Sequence, residues 1–237
     1  MTVAIIADSH LGGPGGDGDL FVEQLCALPE QGCTHLVLLG DIFHVWVGSR
    51  KFETSEVRKV VPELRALREA GVRVDYVEGN RDFFLRKSPY ADCFDRLDLE
   101  THFEAGGESC LAVHGDGLND RDRQYLFWRW LSKSTPVRWA VLGLPSVAAQ
   151  KFVHGTEAKL SKTNFKHKRQ IPEQPIRRYG ERRLGSDPKG ATHQHLFLGH
   201  FHEPHRFEIR GGTVHVLDAW FNSNRVEWPD RLIADLH

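Results

Sequence analysis

The 237 residues are 40% hydrophobic and 27% charged with a formal net charge of −1, which allows one sizeable core and makes a single domain over 1–237 with an inserted cap the simplest organisation. Four cysteines, Cys26, Cys33, Cys93 and Cys110, lack the spacing of a disulfide framework or a thiolate metal site and read as reduced residues of a cytosolic protein. The longest apolar stretch, 139–149, is too short to cross a bilayer and contains Pro145, so any membrane contact is peripheral, and no signal peptide is expected ahead of the first strand.

The chain opens on a short apolar run, 3–7, of the length expected for a buried strand, and the run ends at Asp8-Ser9-His10. GGPGGDG at 12–18 reads as a mobile loop, and apolar residues at helical spacing follow over 20–28. A second strand over 35–39 runs into LGDIF, which carries Asp41. A helix over 56–70, which Gly71 is placed to end, leads to a third strand over 73–77 and the turn EGNRD, with Asn80. Further on, 110–113 runs into VHGDG, with His114, and 195–198 runs into LGHFH, with His200 and His202. A later strand over 214–217 points to a second sheet.

Seven potential ligands therefore fall in five short blocks, each where a strand ends: Asp8, His10, Asp41, Asn80, His114, His200 and His202. In layered α/β architectures, groups at the C-terminal ends of neighbouring strands converge on one edge of the sheet, so residues far apart in sequence can meet there. Carboxylates, an amide oxygen and neutral imidazoles suit hard or borderline divalent cations such as manganese, iron, zinc or magnesium. Asp41 is the natural bridge, since one carboxylate can touch two ions. Two cations roughly 3.5–4 Å apart would activate a shared water and clamp the oxygens of a phosphate ester, with no need of a Ser, Cys or Thr nucleophile.

The pattern of DxH, GDxx, GN(H/R)D, a lone His and GHxH resembles that of the calcineurin-like metallophosphoesterases. It is matched by Asp8-Ser9-His10, Gly40-Asp41, Gly79-Asn80-Arg81-Asp82, His114, and Gly199-His200-Phe201-His202. The resemblance implies a two-sheet β-sandwich flanked by helices and two divalent metal ions, taken as Mn2+. One ion would be held by Asp8, His10, Asp41 and His202, the other by Asp41, Asn80, His114 and His200. A finer resemblance is to the UDP-2,3-diacylglucosamine pyrophosphatases of the lipid A pathway, which cleave UDP-2,3-diacylglucosamine to lipid X and UMP. Like them, the chain reads GNRDFFL, where many relatives carry GNHD. Arg81 cannot act as a general acid, because a guanidinium stays protonated. It can stabilise charge on a phosphate through paired hydrogen bonds. Asn80, Arg81 and His114 are thus the catalytic candidates. By the same resemblance, Asp122 and Tyr125 help build the substrate pocket together with Asn80, Arg81 and His200. The stretch LDAWFNSN at 217–224 departs from the LGAW-H form of that family, and PEQPIRRYGERR has no counterpart in it.

The segment 120–190 holds 16 Lys or Arg against 6 Asp or Glu, whereas the rest of the chain holds 15 against 26. Trp128, Trp130 and Trp139 lie in it, and over 125–152 apolar clusters alternate with Arg and Lys as in an amphipathic helical lid. Aromatic and basic residues together suit the boundary between lipid headgroups and acyl chains, and the resemblance to the lipid A enzymes implies a peripheral position on the cytoplasmic face of the inner membrane. Ser161, Lys162 and Lys168, with Lys159 and Lys166, are the lid residues placed to meet the diphosphate of a lipid-linked UDP-sugar. A plain alternative is a cap whose Trp and Leu pack on the main domain while its Lys and Arg are solvated. Nucleic acid ranks below a lipid-linked nucleotide as the anionic partner, because the charges form no continuous basic run before KHKR at 166–169.

His35, His154, His193 and His237 read as surface or packing residues, and His44, His205 and His215 are ambiguous. Asp82 and Asp116 follow motif residues and read as orienting groups for Arg81 and His114. Two other functions stay open at this level: a generic metallophosphodiesterase or phosphatase acting on soluble esters or nucleic acid, and a scaffold without activity. The complete ligand set argues against the second.

Overall fold

The computed structural model describes residues 2–119, 122–145, 171–185 and 193–236. Four strands, β1 (Val3–Ile6), β2 (His35–Leu38), β4 (Arg73–Val77) and β6 (Arg96–Asp98), pair in parallel in that order. Facing them is a five-stranded sheet with order β10 (His205–Ile209), β11 (Gly212–Val216), β9 (His195–Leu198), β8 (Glu108–Val113) and β7 (Glu100–Ala105). Its centre is parallel and both edges are antiparallel. A two-residue parallel pair, β3 (Trp46–Val47) with β5 (Asp82–Phe83), lies apart from both sheets. The elements expected from the apolar runs are present, with ends displaced by a residue or two, as fraying allows.

Side-chain alternation explains the layers. Along β1 and β2, Val3, Ile5 and Val37 face the second sheet and form one core with Phe103, Cys110, Ala112 and Phe197. Their neighbours Ala4, Ile6, Leu36 and Leu38 face outward under helices α1 (Gly18–Ala27) and α2 (Ser55–Glu69). On the other sheet, Leu111, Leu196, Val214 and Val216 face outward and bury Ile176 of the helix over Glu173–Arg183. Both sheets thus have two apolar faces, which makes a four-layer sandwich flanked by helices, the architecture expected from the sequence.

Local chemistry sets the helix ends. Asp17 caps α1 by accepting from the backbone of Asp19 and Leu20, and Thr54 caps α2 by accepting from Val57 N–H. Gly71, at φ +86°, closes α2 with Gly71 N–H bonded to Arg68 O and Val72 N–H to Leu67 O, the paired bonds of a Schellman motif. The glycine-rich stretch after β1 is folded against the neighbouring turn: Gly13 N–H donates to His10 O at 2.9 Å, and a Cβ at Gly16 would lie 2.7 Å from that same carbonyl.

His35 and Asp75 are fully buried between the sheets, 3.1 Å apart, with Thr101 Oγ1 donating to Asp75 at 2.6 Å. His35 is therefore a buried bonding residue, as are His193, His195 and His215. His205 is exposed, and His154 and His237 lie outside the described residues.

Three helices of the 120–190 segment are described: Glu173–Arg183, which packs on the second sheet, and α3 (Arg123–Ser132) and α4 (Thr135–Gly143). No residue of α3 is buried, and only Val141 is buried in α4. Phe127, Trp128, Trp130 and Trp139 are 55%, 59%, 67% and 68% exposed. Helices α3 and α4 instead dock through polar groups: Lys133 Nζ donates to Gly79 O at 2.6 Å, Lys51 Nζ to Leu142 O at 2.8 Å, and Arg138 to Lys87 O at 3.2 Å. The plain alternative, Trp packed inward with cations solvated, is thus reversed over this pair. Ser161, Lys162, Lys168, Lys159 and Lys166 lie outside the described residues.

Candidate metal centre

β1, β2 and β4 of one sheet and β8 and β9 of the other end at the same edge of the sandwich, and each is followed by a ligand-bearing turn. Two groups of three meet there, with their ligand atoms within 4.8 Å of one another: Asp8, His10 and His202, and Asp8, Asp41 and His114. His202 Nε2 is 3.1 Å from Asp8 Oδ1 and 3.3 Å from His10 Nε2. His114 Nε2 is 3.3 Å from Asp8 Oδ1 and 3.8 Å from Asp41 Oδ2. The His200 ring lies 5.1 Å from that of His114, centroid to centroid. The carboxylate common to both groups is Asp8. Asp41, expected as the bridge, turns Oδ1 toward the Arg81 backbone N–H at 2.8 Å and Oδ2 toward His114.

The backbone at these turns is unusual. Asp8, His10, Asp41, His200 and His202 all have φ between 45° and 71°, the left-handed region that residues with a Cβ enter at a cost of about 1 kcal/mol or more each. Five of the seven candidate ligands share it. Such strain persists where surrounding structure over-determines it, and it is a mark of functional sites. The glycines of the motifs make the close approach possible: a Cβ at Gly79 would lie 2.2 Å from Asp41 Oδ1, and one at Gly199 would lie 2.6 Å from Asp8 Oδ2.

Charge is concentrated where water is not. Burial alone would raise the Asp8 carboxyl, yet His202 and His114 outweigh it and hold it well below the ordinary carboxylate range. Burial raises Asp41, with His114 and Arg81 offsetting only part of the effect. Two carboxylates in one site are thereby pushed apart, as like charges in a low-dielectric pocket must be. His114 would be lowered by burial, but Asp41, Asp116 and Asp8 lift it well above the usual imidazole range. The arrangement is a buried anionic centre lined by imidazoles.

Asn80 supplies a separate test of whether a cation fits. Its Oδ1 is buried with no hydrogen-bond partner, a costly state for an acceptor. An amide oxygen, two carboxylates and imidazoles form a donor set suited to hard or borderline divalent ions, so the residues present fit the implied metals. All seven candidates lie at this edge.

The neighbours have defined tasks. Asp82 Oδ2 accepts from Gly79 N–H at 2.7 Å and Asp41 N–H at 3.2 Å, so it ties two ligand turns together. It thus orients these turns and not the Arg81 side chain. Burial, with the Asp41 charge beside it, pushes Asp82 up to about 7. Asp116 Oδ1 is 3.2 Å from His114 Nδ1. Arg81 places Nη1 3.2 Å from the His44 carbonyl and 3.2 Å from its Nδ1, with Nε 3.6 Å from Asp41. Asp122 caps α3 by accepting from Tyr125 N–H at 2.9 Å, and the Tyr125 hydroxyl donates to Asp116 at 3.0 Å.

Some residues at the site carry no motif. Phe221 packs its ring 5.4 Å from His10 and 5.1 Å from His202, and Asn222 Nδ2 donates to His202 O at 2.9 Å. Both lie in LDAWFNSN, the stretch that departs from the family form, and that departure was the available signal. The segment reaches the site because Trp220 N–H bonds to Ala7 O and Ile5 pairs with Glu227. Lys133 and His44 gave no comparable signal.

No family model matches the chain. Curated relatives do. A UDP-2,3-diacylglucosamine hydrolase of Aliivibrio fischeri is 28% identical over 99% of this chain and 97% of its own length. One from Pseudomonas entomophila is 31% identical over 78% of this chain and 77% of its own, and one from Ralstonia nicotianae is 29% identical over 92% and 83%.

Proposed function

The chain belongs to the UDP-2,3-diacylglucosamine hydrolase family, and we propose that it cleaves the pyrophosphate bond of UDP-2,3-diacylglucosamine, with attack at the α-phosphorus, to give lipid X (2,3-diacylglucosamine 1-phosphate) and UMP. It is a hydrolase. The observation that carries the site is the meeting of Asp8, His10, Asp41, His114 and His202 at one edge, beside the unpartnered Asn80 oxygen.

Asp8, His10, His202 and Asp41, Asn80, His114, His200 would hold two divalent cations, manganese in this reading, with Asp41 or Asp8 shared. Bound there, such ions supply an activated water at neutral pH and charge stabilisation for the phosphoryl oxygens. The chain's own part is positioning. Arg81, supported by His44 and Asp41, presents fixed donors to a diphosphate without being able to give up a proton. The departing sugar phosphate is stable as an anion, which suits a site that has Arg81 in place of an acidic group.

The lid adds a membrane reading. Four exposed aromatic side chains on polar-docked helices suit an acyl-chain and headgroup boundary. On this reading the enzyme works peripherally on the cytoplasmic face of the inner membrane. No described helix is long and apolar enough to cross a membrane.

The test is hydrolysis of UDP-2,3-diacylglucosamine in heavy-oxygen water with manganese, set beside a simple aryl phosphodiester. The expected result is a strong preference for the former and label in UMP. Equal turnover of both substrates, or label in lipid X, refutes the reading.

A further inference from the structure

Asp116 is buried two residues beyond His114, and its two oxygens face in different directions. Oδ1 meets His114 Nδ1 at 3.2 Å. Oδ2 accepts from the Tyr125 hydroxyl at 3.0 Å and from Arg129 Nε, both on α3. One carboxylate therefore touches a candidate ligand on one side and the lid helix on the other. No residue of α3 is itself buried. Lys133, just after it, donates to Gly79 O in the turn that carries Asn80. Among the described residues, both of these fastenings are on ligand-bearing turns.

We infer that Asp116 is a positioning residue that couples the seat of α3 to the cation affinity of the centre. By accepting from Nδ1–H it orients the His114 ring so that Nε2, which lies toward Asp8 and Asp41, is the atom offered to a cation. By receiving Tyr125 and Arg129 it holds the helix capped by Asp122. A cation that orders His114 orders Asp116, and an ordered Asp116 costs less to engage from α3. Linkage makes the effect reciprocal: whatever loosens α3 must weaken cation binding by the same factor by which the cation tightens α3. The inference rests on the metal-centre reading of the proposed function, and it makes a prediction that reading does not. Arg129 contacts no candidate ligand through any bond described here, yet its loss must lower cation affinity.

The experiment measures manganese binding by calorimetry and backbone amide exchange over 123–132 in the full chain, neither of which needs substrate. Manganese should slow exchange over 123–132 in the unaltered protein. Arg129→Met should abolish that slowing and weaken manganese binding about three- to tenfold, with Arg129→Lys recovering part of it. Asp116→Asn, which keeps an oxygen for His114 but turns an amide toward Arg129, should cost about 10–100-fold. Where Arg129→Met fails to fold, Tyr125→Phe removes one donor from the same oxygen and should shift both readouts less, in the same direction. Unchanged manganese affinity in a variant whose α3 exchanges faster overturns the coupling. Absence of manganese binding in the unaltered protein overturns the metal reading, and this inference with it.

Discussion

The backbone N–H of His200 donates to Asp8 Oδ2 at 2.7 Å, joining turns 192 residues apart in the chain. Gly199 makes that contact possible, because a Cβ there would sit 2.6 Å from the same oxygen. Gly199→Ala should therefore displace the Asp8 carboxylate while leaving both apolar cores intact. Turnover should fall about a hundredfold, the scale of a misplacement near 1 Å. Circular dichroism should be unaltered. An alanine variant with full activity would mean that the position of Asp8 is not critical.

Asp41 and His114 are the sharper tests of the centre. Asp41→Ala or His114→Ala should lower turnover by more than about a hundredfold and retain the fold, since each removes a candidate ligand and leaves the sheets untouched. Chelation followed by manganese addition should abolish and restore activity in the unaltered protein. Near-normal hydrolysis in metal-depleted buffer would end the mechanism.

Arg81 is held by the His44 carbonyl and faces Asp41. Arg81→His removes the paired donors and restores the sequence form of many phosphoesterases. Pyrophosphate hydrolysis should fall about 10²-fold, the usual cost of one preorganised donor, with manganese affinity close to unchanged. If the rate is unaffected, the proposed role of Arg81 is wrong.

The centre was legible in the sequence because strand ends and ligand types coincide: each of Asp8, Asp41, Asn80, His114 and His200 follows a short apolar run, and topology does the rest. The lid was not legible in the same way. The plain alternative for 125–152 puts its apolar residues inward, but what α3 and α4 turn toward the domain is Arg129, Lys133 and Arg138, whose acceptors are Asp116, Gly79 and Lys87. Hydrogen-bond acceptors on distant turns leave no mark on local hydropathy. That Asp8 is the carboxylate common to both clusters is likewise something that spacing does not encode.

Histidine pairs in the second sheet set an acid limit on stability. Burial, with His195 and Arg206 nearby, lowers His215 from 6.5 to about 4. Between those values the unfolded chain binds the extra proton and the folded one does not, so stability rises with pH across the window and is lost as pH falls through it. The loss should reach about 2 kcal/mol between pH 6.5 and about 4.5. Asp75, held at about 2 by His35, Arg73 and Thr101 against burial, adds a further loss only below 3.8. Urea midpoints should show the first step, and His215→Gln should flatten it. A midpoint independent of pH over that range would contradict this account.

Trp128, Trp130 and Trp139 present indole rings to solvent from helices whose polar groups face the domain. Each exposed ring offers a large apolar area, and transfer to a lipid interface gains about 25 cal/mol per Å2 removed from water. Replacing all three with serine removes that gain without touching Lys133, Arg129 or any candidate ligand. Co-sedimentation with vesicles containing anionic lipid should drop at least about tenfold, and melting temperature and manganese affinity should hold, since α3 and α4 are fastened by polar contacts. Retained vesicle binding would assign membrane contact to another surface, whereas a large fall in melting temperature would show that these indoles pack inward after all.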